Sequence, residues 1–85
     1  MNFLIIGDPI RDLKPKTDTS LALVREAVTR AHDVHWATGD DLVLWEGRVQ
    51  ARVDQITGCA ENSHPMTENI KELQSINSYD GVWIR

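Results

Sequence analysis

Three features of the 85-residue sequence predict an α/β fold, with a mostly parallel sheet that carries an inserted β-hairpin. An apolar run near the N-terminus leads through an amphipathic stretch to a second short apolar segment, the pattern of a βαβ unit. A stretch of alternating apolar and polar residues then follows a Glu-Gly pair, which is how a hairpin reads. The sequence closes on "DGVWIR", another strand-like segment.

The first strand is Phe3-Leu4-Ile5-Ile6, ended by Gly7-Asp8-Pro9. Its apolar residues run without alternation, as in a parallel strand buried on both faces. Asp8 to Asp18 form a polar loop containing Pro9 and Pro15. In "TDTSLALVREAVTRAH", Leu21, Val24, Val28 and Ala31 recur at the helical period, with Leu23 and Ala27 alongside. Asp18 or Thr19 supplies the N-cap, and Arg30 and His32 in the last turn complement the helix dipole. "DVHWAT" reads as the second strand, reached by a right-handed crossover.

Beyond it, "LVLW" and "RVQARV" flank Glu46-Gly47 as the arms of a hairpin, with Val49, Ala51 and Val53 on its apolar side. "TGCAENSHPMTEN" has no periodicity and reads as a loop. The spacing of Ile70, Leu73 and Ile76 predicts a short helix starting near Thr67, before the final strand "GVWIR". Trp36, Trp45 and Trp83 are expected to serve the small core.

At this length there is room for one domain with a thin core. A net charge of −4 and a pI near 5.2 argue against nucleic acid, which calls for a basic face. Cys59 is the single cysteine, so no internal disulfide is possible and a reducing, cytoplasmic setting is expected. "MNFLIIGDPI" lacks the basic start and long apolar run of a signal peptide, and no stretch has the length of a membrane-spanning helix.

Most chemical candidates fail on spacing. Gly7 alone is no dinucleotide fingerprint, and no phosphate-binding Gly-Lys-Ser/Thr occurs. Asp8 lacks the acid cluster and lysine of a phosphorylatable receiver. His32, His35, Cys59 and His64 match no zinc spacing and read as surface or strand residues. Cys59 has no basic neighbour in sequence and reads as a free loop thiol. Asp40-Asp41 reads as the cap of a helical turn. What remains is "GDPIRDLKPKTDTS", at the carboxyl end of the first strand, where open α/β sheets hold their ligands. It gathers Asp8, Lys16, Asp18, Thr19 and Ser20 ahead of a helix N-terminus, which favours anionic groups. A solvated loop that caps a helix is the plainer reading of the same residues.

"GDPI", "KTDTSLALVREA", "HDVHWATGDDL", "GRVQAR" and "YDGVWIR", in this order and spacing, resemble the N-terminal domain of bacterial glutathione synthetases across essentially the whole chain. The resemblance implies a Rossmann-like pre-ATP-grasp domain, truncated before its last helix and strand. Residues 1–85 would then be a partial N-terminal, substrate-side domain. ATP and Mg2+, and activation of the substrate carboxylate as an acyl phosphate, would fall to an ATP-grasp domain absent from this chain. The full enzyme joins γ-glutamylcysteine to glycine. This chain would bind no cofactor, hold no catalytic residue and be inactive alone, contributing substrate-side contacts and part of a homo-oligomer contact.

The family's Asp-Pro-Ile falls on Asp8-Pro9-Ile10 and its Lys-x-Asp-Ser/Thr-Ser block on Lys16 to Ser20. Arg85 takes the place of the arginine in the family's Arg-Lys-Asp-Pro-Pro motif. The implied substrate-side residues are therefore Asp8, Lys16, Asp18, Thr19, Ser20 and Arg85. One departure is Ala31, where the family has a helix-ending glycine; alanine in a left-handed C′ position costs about 1 kcal/mol. A stand-alone α/β interaction or regulatory module is the alternative, and a coding sequence that continues past Arg85 into Lys-Asp-Pro-Pro would separate the two. The closing strand is expected to leave Val82, Trp83 and Ile84 partly exposed.

Overall fold

β1 (Asn2–Ile6) lies between two parallel partners, β2 (Asp33–Ala37) and β6 (Gly81–Ile84), in a computed structural model that describes residues 1–59 and 63–85. The apolar run of β1 is buried on both sides, as a strand with covered faces requires. Ile5 points to the face covered by α1 (Thr19–Thr29), packing with Val24, Val34, Trp36 and Ile56. Leu4 and Ile6 point to the opposite face, with Ala37, Ala51 and Val53. Two thin cores therefore share one sheet.

Asp18 is the N-cap of α1, its carboxylate accepting from the Leu21 N–H at 3.1 Å. The helix ends in a Schellman motif. The His32 N–H reaches the Ala27 carbonyl and the Ala31 N–H that of Val28, with Ala31 at φ 61°. The left-handed position expected at Ala31 is present, occupied by a residue with a Cβ. Arg30 is the C-cap and pairs with Glu26.

The antiparallel part begins with β3 (Leu42–Trp45) and β4 (Arg48–Gly58), joined at Glu46-Gly47. Both turn residues have positive φ, 51° and 75°, as a tight two-residue hairpin turn demands. β2 pairs antiparallel to the far end of β4, at His35 and Trp36. β5 (Met66–Ser75) occupies the other edge of β4 over most of its length.

Among the described residues the sheet has six strands in the order β3-β4-β2-β1-β6, with β5 attached to β4. The α/β class holds, but the sheet is mixed rather than mostly parallel. The reasons are β5, which replaces the helix expected from Thr67 onward, and the antiparallel pairing that joins the hairpin to β2. β4 has eleven residues and an edge that α1 cannot cover, so its backbone groups need a strand beside them. A register irregularity opposite Ala51 and Val53 sets Gln74 against the first and Ile70 against the second. That bulge disturbs the alternation and lets the apolar spacing of β5 imitate a helical stripe. Of that stripe Ile70 and Ile76 pack on the core, whereas Leu73 is exposed. The expected loop from Thr57 to Asn69 is shorter, since Thr57 and Gly58 extend β4 and Met66–Asn69 begin β5; Ala60, Glu61 and Asn62 lie outside the described residues.

Trp36 alone of the tryptophans is core, 3% exposed, whereas Trp45 is 61% and Trp83 48% exposed. Val82 and Ile84 are exposed as expected, Ile84 at 73%. No helix among the described residues is long and apolar enough to cross a membrane.

Candidate substrate-facing site

The three parallel strands end together, at Ile6, Ala37 and Ile84, so the segments that follow them share one edge of the sheet. These segments are the loop Gly7–Asp18, the turn Thr38–Asp41 and Arg85. The Gly7 N–H donates to the Ala37 carbonyl at 3.0 Å and the Arg85 N–H to the Ile6 carbonyl at 2.9 Å, carrying the ladder one residue past each strand.

The loop is held rather than loose. Trp36 Nε1 donates to the Asp8 carbonyl at 3.0 Å, which ties the loop's start to β2. Gly7 lies close against the indole, where a Cβ would come within 3.1 Å of Trp36 Cζ2 and press the ring aside by a few tenths of an ångström. Ile10 and Leu13 pack on the core beneath α1, and a 3₁₀ turn spans Ile10–Asp12. His64 Nε2 lies 2.8 Å from the Leu13 carbonyl and donates to it, fastening the loop from the β5 side. Lys14 O accepts from both Thr17 and Asp18, turning the chain into the helix.

The sequence candidates divide under this geometry. Asp8 and Lys16 have exposed side chains in the loop, and Thr19 is exposed in the first turn of α1. Arg85 is exposed at the same sheet edge. Asp18 is committed to capping the helix. Ser20 faces inward, 2% exposed, with its hydroxyl lacking a partner.

The structure adds a cleft of about 630 Å³ beside the loop, into which Arg11, Asp40, Asp54, His64 and Thr67 contribute. Arg11 stands inside the quoted loop, but nothing in its spacing sets it apart. Asp54 and Thr67 are brought there by the pairing of β4 with β5, which the sequence did not reveal. Asp41 is withdrawn from chemistry by a capping box with Thr38, accepting from its N–H and hydroxyl at 2.9 and 3.0 Å. The expected cap role thus belongs to Asp41 at the third position of the turn, with Thr38 as the N-cap.

The remaining histidines and the cysteine are dispersed. His35 Nδ1 sits 2.6 Å from the Tyr79 hydroxyl, and His32 lies edge-on to Phe3. Burial lowers the His35 pKa from its usual 6.5, against the opposing pull of Asp33. Burial also pushes the Tyr79 hydroxyl up to about 12 and raises the Cys59 thiol, the latter partly offset by Arg25. Cys59 is thus held as a thiol, the poorer nucleophile.

A second hollow, about 240 Å³, lies on the α1 face between the helix and β6 and is apolar, lined by Phe3, Leu23, Ala27, Val34 and Trp83. Of these two, the cleft beside the loop has the polar groups suited to a charged small molecule.

The family model described as prokaryotic glutathione synthetase, N-terminal domain, matches residues 1–85. The glutathione synthetase of Gloeobacter violaceus is 33% identical over 90 residues, covering 100% of this chain and 26% of the relative. That of Photorhabdus laumondii is 40% identical over 48 residues, 56% of this chain and 15% of the relative. That of Xanthomonas campestris is 36% identical over 53 residues, 62% of this chain and 17% of the relative. The chain thus spans about a quarter or less of the length of these relatives.

Proposed function

The chain belongs to the prokaryotic glutathione synthetase family, as an N-terminal domain, and on that premise we propose that it forms the substrate-facing side of a cytoplasmic, ATP-dependent ligase joining γ-glutamylcysteine to glycine. The family match over residues 1–85 carries this reading. The polar loop and cleft at the carboxyl edge of the sheet support it, because γ-glutamylcysteine bears carboxylates and an ammonium group that must be held while one carboxylate reacts.

Arg11, Lys16 and Arg85 supply cations at that edge, and Asp8 and Asp40 supply anions. An arginine fork on a carboxylate contributes about 1.5–3 kcal/mol as a charge-assisted hydrogen bond. Asp18 and Ser20 support the site by starting the helix rather than by touching substrate. The residues present do not fit Mg-ATP. No glycine-rich phosphate loop occurs, and among the described residues no three His, Cys, Asp or Glu side chains gather as a metal set. On this reading ATP, Mg2+ and catalysis are assigned to the ATP-grasp part of the full-length ligase.

Two measurements test the reading. The chain incubated with ATP, Mg2+, γ-glutamylcysteine and glycine is expected to release no phosphate. Titrated with γ-glutamylcysteine alone, it is expected to shift backbone amide resonances at Asp8–Ser20, Thr38–Asp41 and Arg85, leaving the hairpin at Glu46 unmoved. Phosphate release by the chain, or shifts that avoid this edge, would overturn it.

A further inference from the structure

Asp54 of β4 stands opposite Trp36 of β2 and opposite Asn69 of β5. Residues paired across antiparallel strands share a face, so its carboxylate rises beside the indole on the α1 side of the sheet. Asn69 Nδ2 donates to Asp54 Oδ1 at 3.0 Å, which fixes the carboxylate and leaves Oδ2 to the cleft. Asp54 is half-buried. Among the described residues no cation pairs with it, the one ion pair there joining Arg30 to Glu26. A carboxylate drawn partly out of water without a counter-charge is costly, and a bound cation removes that cost.

The rest of the cleft says what such a cation is attached to. Thr38 and Asp41 are spent on each other, and His64 Nε2 is spent on the Leu13 carbonyl. Asp40 and Arg11 are the other charged groups on its walls, and neither is in an ion pair among the described residues. Two carboxylates thus face one guanidinium across a floor of Pro9, Ile10 and Trp36. That set complements a ligand carrying an ammonium and a carboxylate together on an aliphatic chain. The excess of negative charge makes the ammonium the selective feature.

From this arrangement we infer that the cleft takes the γ-glutamyl end of γ-glutamylcysteine, with Asp54 and Asp40 receiving its α-ammonium and Arg11 its α-carboxylate. The choice of dipeptide rests on the ligase reading; the choice of which end enters rests on the cleft. At the γ-glutamyl end the ammonium and the carboxylate sit on one carbon. The cysteinyl end has a carboxylate and a thiol but no ammonium, so it leaves Asp54 and Asp40 uncompensated. The cysteinyl carboxylate, which is the one that reacts, therefore stays outside the cleft. The same pairing makes the cleft a reader of the γ-linkage. In the α-linked isomer the free carboxylate and the ammonium lie on different carbons, and Arg11 and Asp54 cannot both be met in the same way. Free glycine carries the same pair of charges but fills a small part of about 630 Å³. Its nitrogen must also be free to attack, which an ammonium held between carboxylates is not.

Titrations of the chain followed by its amide resonances test this, with Asp54 and Thr67 as reporters on which the ligase reading makes no demand. γ-Glutamylcysteine is expected to move both. Glutarylcysteine, which lacks the ammonium, and 4-aminobutyrylcysteine, which lacks the α-carboxylate, are each expected to bind about tenfold or more weakly. Asp54→Asn keeps an acceptor for Asn69 and is expected to erase most of the preference over glutarylcysteine, leaving that over 4-aminobutyrylcysteine. Arg11→Gln is expected to do the reverse. Structural damage would lower all three affinities together and could not remove one preference alone. Shifts confined to Lys16 and Arg85, with Asp54 and Thr67 unmoved, overturn the inference and leave the ligase reading standing. Equal binding of γ-glutamylcysteine and glutarylcysteine does the same. Glycine moving Asp54 and Thr67 as strongly as the dipeptide overturns the assignment of the cleft to the γ-glutamyl end. No shift with any of these ligands overturns both readings.

Discussion

The parallel strands β1, β2 and β6 and the antiparallel strands β3, β4 and β5 share one sheet and use much the same apolar residues, with different results. In β1, Leu4 and Ile6 lie beneath Ile70, Ile76 and Tyr79, and Ile5 lies beneath Val24 of the helix. In the hairpin only its base is covered, so Ala51 and Val53 are buried while Leu44 stands 72% exposed opposite Val49. Leucine is therefore structural at position 4 and nearly idle at position 44. The difference lies in what the chain folds over each strand, since propensity is the same for both. β6 is the intermediate case, with one edge and part of each face left open.

Paired truncations would break or sustain this contrast. Leu4→Ala removes a fully buried side chain and should cost about 2–5 kcal/mol, read from the urea midpoint at constant slope. Leu44→Ala should stay within about 0.5 kcal/mol. Equal losses would mean that the hairpin tip is covered in solution. A smaller effect of opposite sign is expected at the helix end. Ala31→Gly removes the cost of a Cβ at φ 61° and should stabilise by up to about 1 kcal/mol. A loss would show that the Schellman turn relaxes without glycine.

The smallest effect is the pH dependence carried by His35 and Tyr79, which link β2 to the segment entering β6. The folded His35 pKa lies below 6.5, so the unfolded chain takes up its proton first. Stability is full above 6.5 and falls as pH drops from there to the lowered folded value. Tyr79 acts in the opposite direction, its contribution being present below 10 and lost as pH rises toward about 12. His35→Gln should flatten the acid limb and Tyr79→Phe the alkaline limb, both followed by thermal unfolding across pH.

Where one residue's surroundings are local, the sequence was enough to read them. The run Phe3–Ile6, the stripe of α1 and the Glu46-Gly47 turn depend on neighbours within a few positions, whereas the left-handed position at Ala31 was expected from the family resemblance. β5 was not legible, because its strand character comes from the vacant edge of β4 and its misleading spacing from a bulge that only pairing creates. Trp45 resembles Trp36 in the sequence, and only the tertiary arrangement separates the covered one from the bare one, whereas Trp83 was expected partly exposed. At the site, the position of the Asp8–Ser20 loop followed from strand order. The inward turn of Ser20 and the approach of Arg11, Asp54 and His64 to one cleft required the folded chain.

The bond from Trp36 to the Asp8 carbonyl gives the loop an optical label of its own. An indole buried against Gly7 emits at shorter wavelength than the two tryptophans left in water, so its signal stands apart at the blue side of the spectrum. Any movement that draws Asp8 away from β2 removes the indole's acceptor and opens a path for solvent. Loop motion is thereby written into the emission of a native residue, and can be followed in real time without attaching a dye.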